Sequence, residues 1–262
     1  METVLYDIAN GVATITMNRP DALNSVDGTL GSELLKALQD AAGDAQVRCV
    51  VLTGAGKGFC AGADLGQFQE AFDAGVAPPM NEVLRERYHP LITSITEMAK
   101  PVVGGLNGVA AGMGTSLAMA CDFRIASDKA RFTQAFLKIA VVPDSGATHL
   151  LPQLVGVAKA KELAMLNPVL NADEMLRIGL VTEVVPHEQY PARLAEFAAA
   201  LAKGPTLALG LTKKAINHGA RQDLLSSMDY EADLQQQIAH SADMTEGIKA
   251  FLEKREANYT GR

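Results

Sequence analysis

The sequence predicts a layered α/β fold, and three observations carry that expectation. Continuous apolar runs at 49–53, 102–106 and 123–126 recur with helix-periodic segments between them, a weak internal repeat of βα type. The first run, Cys49-Val50-Val51-Leu52-Thr53, is of the kind buried on both faces of a sheet, and it passes straight into a glycine loop. From Gly146 onward the pattern turns mostly helical.

Taken in order, short β-branched runs at 4–8 and 12–17 flank Ala9-Asn10-Gly11. Asn-Gly supplies the positive φ of a tight turn, so the chain opens with a β-hairpin. Asn18-Arg19-Pro20 and Ala22-Leu23-Asn24 read as loop. Leu30, Leu34, Leu38 and Ala41 then recur at helical spacing and mark an amphipathic helix. The loop at 54–58 fails as a nucleotide site. Val51 and Gly58 stand where a phosphate-cradling loop needs Gly and Ser or Thr, and Phe59 stands where a dinucleotide fingerprint needs Gly.

Residues 59–65, FCAGADL, form a second small-residue loop able to aim the Ala63 N–H at a ligand. Residues 69–98 read as largely helical on either side of Pro78-Pro79, and Lys100-Pro101 precedes the strand at 102–106. Later helices are expected at 158–165, 172–178, 188–202, 206–217 and 224–254, the last with a break near Asp243. The apolar faces of this tail exceed what a short appendage can bury alone. It therefore packs on a neighbouring subunit or folds back over its own core.

Composition narrows the function. The 262 residues carry a formal net charge of −7 with Lys and Arg scattered singly, so no basic stripe exists for a phosphodiester backbone. Cys49, Cys60 and Cys121 are odd in number and far apart, which indicates neither a disulfide framework nor a zinc cluster. His89, His149, His187, His218 and His240 show no ligand spacing, so no metal is expected. The amino terminus has no export-signal pattern and no segment reaches the ~18 apolar residues of a membrane span, so a cytoplasmic protein is expected.

The chemistry centres on residues 104–122, GGLNGVAAGMGTSLAMACD. A glycine cluster lets backbone approach a ligand closely, and the small, apolar run behind it reads as a short buried helix. A helix beginning at Met113 or Gly114 leaves its first N–H groups unpaired beside the positive end of its dipole, so it offers donors to an oxygen anion. The same stretch also reads as a glycine hinge before a core helix. Asp144, beyond Pro143 and just before Ser145-Gly146, is the ionisable candidate, either as a proton carrier or as an ordinary helix cap. Ser116 lies one residue short of a nucleophile elbow, since Ala118 stands at its last Gly.

Together these motifs resemble the enoyl-CoA hydratase/isomerase (crotonase) family. The matching text is Asn18-Arg19-Pro20 with Leu23-Asn24, VVLTGAGKGFCAGADL, KPVVGGLNGVAAGMGTSLAMACDFRIAS, ARF with VPDSGATHLLP, and EGIKAFLEKREANYTGR. The resemblance implies a ββα spiral core over 1–195 and a helical oligomerisation region over 196–262 that builds trimers, commonly stacked as hexamers. It implies an acyl-CoA substrate whose thioester oxygen is held by the amides of Ala63 and Met113. Coenzyme A then enters as part of the substrate, with no separate cofactor. Arg19, Ala22, Leu23, Ala61, Gly62, Asp64, Leu65, Gly112, Ser116 and Phe136 fall on the family's substrate-binding positions, and Lys254 or Arg255 on a further phosphate contact.

The two glutamates with which family hydratases handle water align with Ser116 and Phe136, neither of which exchanges a proton at neutral pH. Asp144 aligns with the aspartate of family members that isomerise dienoyl thioesters or the ring-1,2-epoxide of phenylacetyl-CoA in phenylacetate catabolism. The implied activity is therefore isomerisation by a single Asp acid/base beside an oxyanion hole. The alternatives are a hydratase with an unidentified base, a thioester hydrolase using Ser116, and a non-catalytic acyl-CoA binder.

Overall fold

The computed structural model describes residues 1–261. Strands β1 (Val4–Ala9) and β2 (Val12–Met17) pair antiparallel across Asn10 (φ 52°) and Gly11 (φ 77°), as the turn chemistry requires. Helix α1 (Gly28–Gly43) starts at Asp27, whose side chain accepts from the Leu30 N–H, and it buries Leu30, Leu34, Leu38 and Ala41.

The chain then repeats one unit. A strand enters a long sheet, a shorter strand enters a second sheet, and helical structure returns the chain. The first unit is β3 (Cys49–Gly54), β4 (Gly58–Cys60) and the helices α2 (Gln69–Asp73), α3 (Met80–Val83) and α4 (His89–Glu97). The second is β5 (Val102–Leu106), β6 (Val109–Ala111) and α5 (Met113–Ala120). The third is β7 (Phe123–Ser127), β8 (Arg131–Thr133), α6 (Ala147–Val155) and α7 (Val157–Leu166). Strand β9 (Leu170–Asn171), helix α8 (Ala172–Arg177) and strand β10 (Glu183–Val185) close the sheets. The six-stranded sheet has the order β1-β2-β3-β5-β7-β10 and the four-stranded sheet β4-β6-β8-β9. This double-sheet spiral is the α/β architecture that the alternating pattern predicts.

The short strands depart from the sequence reading. Loop was expected at 59–65 and a glycine-rich approach before Met113, yet β4 and β6 occupy the starts of those loops and pair parallel from Gly58↔Val109 onward. Three-residue strands built of Gly, Ala, Phe, Cys and Val have too little period to read, and their pairing is a tertiary effect. One core lies under α1, α4 and α5. The opposite face of the long sheet is covered by α9 (Tyr190–Lys203) through Tyr190, Leu194, Ala198 and Ala202.

The tail continues with α10 (Thr206–Gly219), α11 (Leu224–Ile238) and α12 (Ala242–Glu253). Lys213 on α10 donates to Asp122 Oδ2 at 2.9 Å and to the Ile95 carbonyl at 2.6 Å, fixing that helix to its own core. Helix α11 buries no residue at all, and Phe251 on α12 is 82% exposed. The chain end returns to the core: Asp243 accepts from the Thr260 and Gly261 N–H groups, and the Arg48 guanidinium donates to the Tyr259 carbonyl. Arg262, the last residue of the expected 196–262 region, lies outside the described residues. Among the described residues no single helix is long and apolar enough to cross a membrane.

Candidate active site

Two loops at the ends of short strands meet face to face. Gly62, at φ 103°, packs so closely on the second loop that a Cβ there would stand 3.0 Å from the Ala111 carbonyl and 3.5 Å from Met113 N. Val26 N–H donates to the Gly62 carbonyl at 2.7 Å, and the Val26 carbonyl accepts from Asp64 N–H at 2.9 Å. Ala63 stands between these bonds, and its own N–H meets no protein acceptor among the described residues. Met113 opens α5, preceded by Gly112 at φ 50°, ψ −128°, a conformation that a side chain disfavours. Its N–H is likewise free among the described residues, and it sits at the positive end of a fully buried helix. Two adjacent main-chain donors without acceptors form an oxyanion-type pair.

The glycine loop at 54–58 has a different task. Asn24 Nδ2 donates to the Ala55 and Gly58 carbonyls at 3.0 and 2.8 Å, while Asn107 Nδ2 donates to the Gly56 and Gly58 carbonyls, both at 3.0 Å. Two buried carboxamides thus lock this loop as the floor beneath the donors.

The donors open onto a cavity of about 260 Å³ whose wall includes Ala61, Gly62, Ala63, Leu65, Gly112, Met113, Phe136 and Asp144. Eight of the residues expected at the site therefore come together. Asp144 does not cap α6: the cap position belongs to Gly146, and no side chain bonds that helix end. Its Oδ1 accepts from Ser145 Oγ at 2.8 Å. Burial pushes the Asp144 carboxyl above the ordinary aspartate range, opposed by the Ser145 hydrogen bond and by nearby His89. Much of the wall supplies that apolar setting: Phe68, Met80, Phe136, Ile139 and Val141. Asp144 is the single carboxylate among the lining residues.

Other expected residues stand apart from the cavity. Ser116 is fully buried behind it and donates to the Asp144 carbonyl at 3.2 Å. Arg19 bridges Asp27 and Asp64 at 3.1 and 3.0 Å and donates to the Ser25 carbonyl, so Asp64 and Arg19 neutralise each other beneath the loop. Ala22 ends a 3-10 turn (Pro20–Ala22), and Leu23 follows in the left-handed region at φ 49°. Arg255 is engaged by Glu246 in a two-point ion pair at 2.7 and 2.9 Å. Sequence reasoning passed over seven lining residues, of which Tyr88 and Lys138 are the two polar ones. Both lie in helical segments whose periodicity reveals only core packing, so neither sends a local signal.

Among the described residues no cluster of three or more His, Cys, Asp or Glu could hold a metal ion. The three thiols are buried and unpaired, and burial pushes each up to about 12, which leaves them inert as nucleophiles.

An α/β scaffold that brings two loops with free main-chain donors and one carboxylate to the wall of a cavity is of an enzyme class. The chain belongs to the enoyl-CoA hydratase/isomerase family, whose profile matches residues 7–262. It is 40% identical over 262 residues to the 1,2-epoxyphenylacetyl-CoA isomerase of Escherichia coli (strain K12), covering 100% of both chains. It is 36% identical over 262 residues to the crotonyl-CoA hydratase of Syntrophomonas wolfei, covering 100% of this chain and 99% of that one. The solved enoyl-CoA hydratase from Bacillus anthracis superposes with a TM-score of 0.92 at 35% identity, covering 99% of this chain and 100% of the other.

Proposed function

We propose that the protein is an acyl-CoA isomerase that shifts a double bond or rearranges a ring epoxide by proton transfer through Asp144. The observation that carries this reading is that Asp144 is the one carboxylate lining the cavity that receives the Ala63 and Met113 amides. Adding water requires a base to activate it and an acid to protonate carbon, whereas moving a proton from one carbon to another requires a single shuttling group. Ser116 and Phe136 occupy the positions at which the resemblance places the hydratase carboxylates, and neither titrates.

The thioester oxygen of the substrate accepts from the two amides, which stabilise the enolate as the α- or γ-proton leaves. Each such donor typically contributes ~3 kcal/mol to the transition state. Asp144 takes that proton on the carboxylate oxygen not occupied by Ser145 and returns it to the other end of the dienolate, γ where α was deprotonated and α where γ was. The apolar part of the wall limits water at the enolate, and burial raises the proton affinity of the carboxylate. Names among the relatives support both isomerase and hydratase activities, so the cavity chemistry is what favours isomerisation here.

Assembly belongs to the same reading. Helices α11 and α12 expose Leu224, Leu225, Phe251 and Leu252, each above 70%, an apolar face suited to a second copy of the chain. We place the working unit as a homotrimer or a stack of two.

Incubation with trans-3-enoyl-CoA, crotonyl-CoA and 2-(1,2-epoxy-1,2-dihydrophenyl)acetyl-CoA, with products identified by mass and NMR, tests the function. Rearrangement without change of mass is expected for the first and third. Rapid gain of one water on crotonyl-CoA overturns the reading in favour of hydration.

A further inference from the structure

Tyr88 forms part of the cavity wall together with Asp144, and it is 3% exposed. It ends a π-helical turn, Leu84–Tyr88, between α3 and α4, the kind of local widening that re-aims one side chain and recurs at functional sites. Its hydroxyl is held from behind. Gln67 Nε2 donates to the Asp64 carbonyl at 2.8 Å and to Tyr88 Oη at 2.9 Å.

A main-chain carbonyl only accepts, so the Asp64 contact fixes which end of the Gln67 amide is the NH₂. The Gln67 carbonyl oxygen faces the Arg87 guanidinium, which only donates, and this agrees with the same orientation. Both Nε2 hydrogens are then spent, and the Tyr88 oxygen must be an acceptor in its bond to Gln67. The phenolic hydrogen is left over, and among the described residues it is donated to no acceptor. No hydrogen bond joins it to Asp144, whose Oδ1 accepts from Ser145 Oγ. The nearby wall, Phe68, Met80 and Phe136, is apolar. A buried hydroxyl whose proton has no partner is costly unless a ligand completes it. Burial, and after it the Asp144 charge, holds the phenol above the usual tyrosine range, so the proton remains on the oxygen at neutral pH.

We propose that Tyr88 donates this hydrogen bond to an oxygen carried by the acyl group, so that the cavity selects acyl thioesters bearing an epoxide, hydroxyl or carbonyl oxygen over plain enoyl chains. This deepens the isomerase reading and rests on it for the position of the thioester. A site with a donor that only an oxygenated substrate satisfies discriminates against the analogue lacking that oxygen, because the donor is then left unpaired.

Two measurements on Tyr88→Phe test it. The first is the ratio of kcat/KM for 2-(1,2-epoxy-1,2-dihydrophenyl)acetyl-CoA to that for a trans-3-enoyl-CoA, expected to fall about tenfold or more on losing the donor. An unchanged ratio overturns the proposal. The second is calorimetric binding of phenylacetyl-CoA and 2-hydroxyphenylacetyl-CoA, which differ by one oxygen and need no turnover. The wild-type protein is expected to prefer the hydroxylated thioester by about tenfold and the variant to bind both alike. Equal affinities in the wild type, or a preference that survives in Tyr88→Phe, overturn the proposal. Should the wild-type protein rearrange neither substrate, the isomerase reading fails and the binding pair alone decides the role of Tyr88.

Discussion

Ser116 Oγ donates to the backbone carbonyl of Asp144 across 3.2 Å, so the helix that presents one oxyanion donor also holds the loop that presents the carboxylate. The two halves of the site share this anchor. Replacing Ser116 by Ala removes one neutral hydrogen bond, ordinarily ~1 kcal/mol, and leaves the carboxylate in place. The expected fall in kcat is therefore no more than about tenfold. Steady-state rates with release of free thiol followed in parallel check this, and complete loss of thiol release in the variant would instead identify Ser116 as a nucleophile.

Asp144→Asn keeps the shape of the cavity and removes the proton carrier. Isomerisation is expected to fall by ~10²–10⁴-fold while affinity for an unreactive acyl-CoA stays within about twofold. An unaltered kcat refutes the assignment of Asp144.

The same carboxyl sets a pH signature. Its proton affinity in the folded protein is raised by burial, so the acid limb of kcat/KM is expected to have its midpoint above the ordinary aspartate value of ~3.9. Activity is lost as pH falls through that midpoint, because the base must be ionised. Stability runs the other way. A raised folded value favours folding below the unfolded value, and that advantage disappears as pH rises through the folded one. The Tm of Asp144→Asn relative to wild type is accordingly expected to be more favourable at pH 7 than at pH 4, measured by calorimetry at both.

Gly112→Ala tests the second donor without touching any side chain. The φ of 50° with ψ of −128° is open to glycine and strained for alanine, typically by ~1–3 kcal/mol, so the backbone rotates and carries the Met113 N–H with it. A drop in kcat of ~10²-fold is expected, as for loss of one oxyanion donor. A crystal structure of the variant showing Met113 N displaced, read beside the kinetics, checks the cause.

The exposed tail yields a further expectation. Phe251→Glu combined with Leu252→Glu places charges on the apolar face of α12, and sedimentation velocity should then show the monomer in place of a trimer or hexamer. A wild-type protein that already sediments as a monomer removes the assembly proposal.

Much of this fold was legible because its signals are local. The Asn10-Gly11 turn, the stripe of α1 and the buried runs at β3, β5 and β7 each declare themselves within one element. The strands β4, β6, β8 and β9 do not, since each is two or three residues held by a partner distant in sequence. The two donor loops were legible for the same reason as the turn: glycine at 62 and 112 advertises an unusual backbone. Asp144 stood out, but sequence left it a candidate helix cap, and the structure gives that position to Gly146. Tyr88 was illegible, because its importance lies in which hydrogen of Gln67 it receives, and that follows from a carbonyl three residues before Gln67.

The proposed oxyanion donors at positions 63 and 113 belong to the peptide chain, so almost any amino acid there still contributes them; proline, which lacks the hydrogen, is the exception. Substitution at these two places is thus expected to leave the donors in place, with the packing of buried Met113 the limit on size at the second, while their flanking glycines tolerate almost nothing. In a comparison of descendants, Gly62 and Gly112 would be the fixed letters, and the groups that stabilise the enolate would be spelled differently from one lineage to the next.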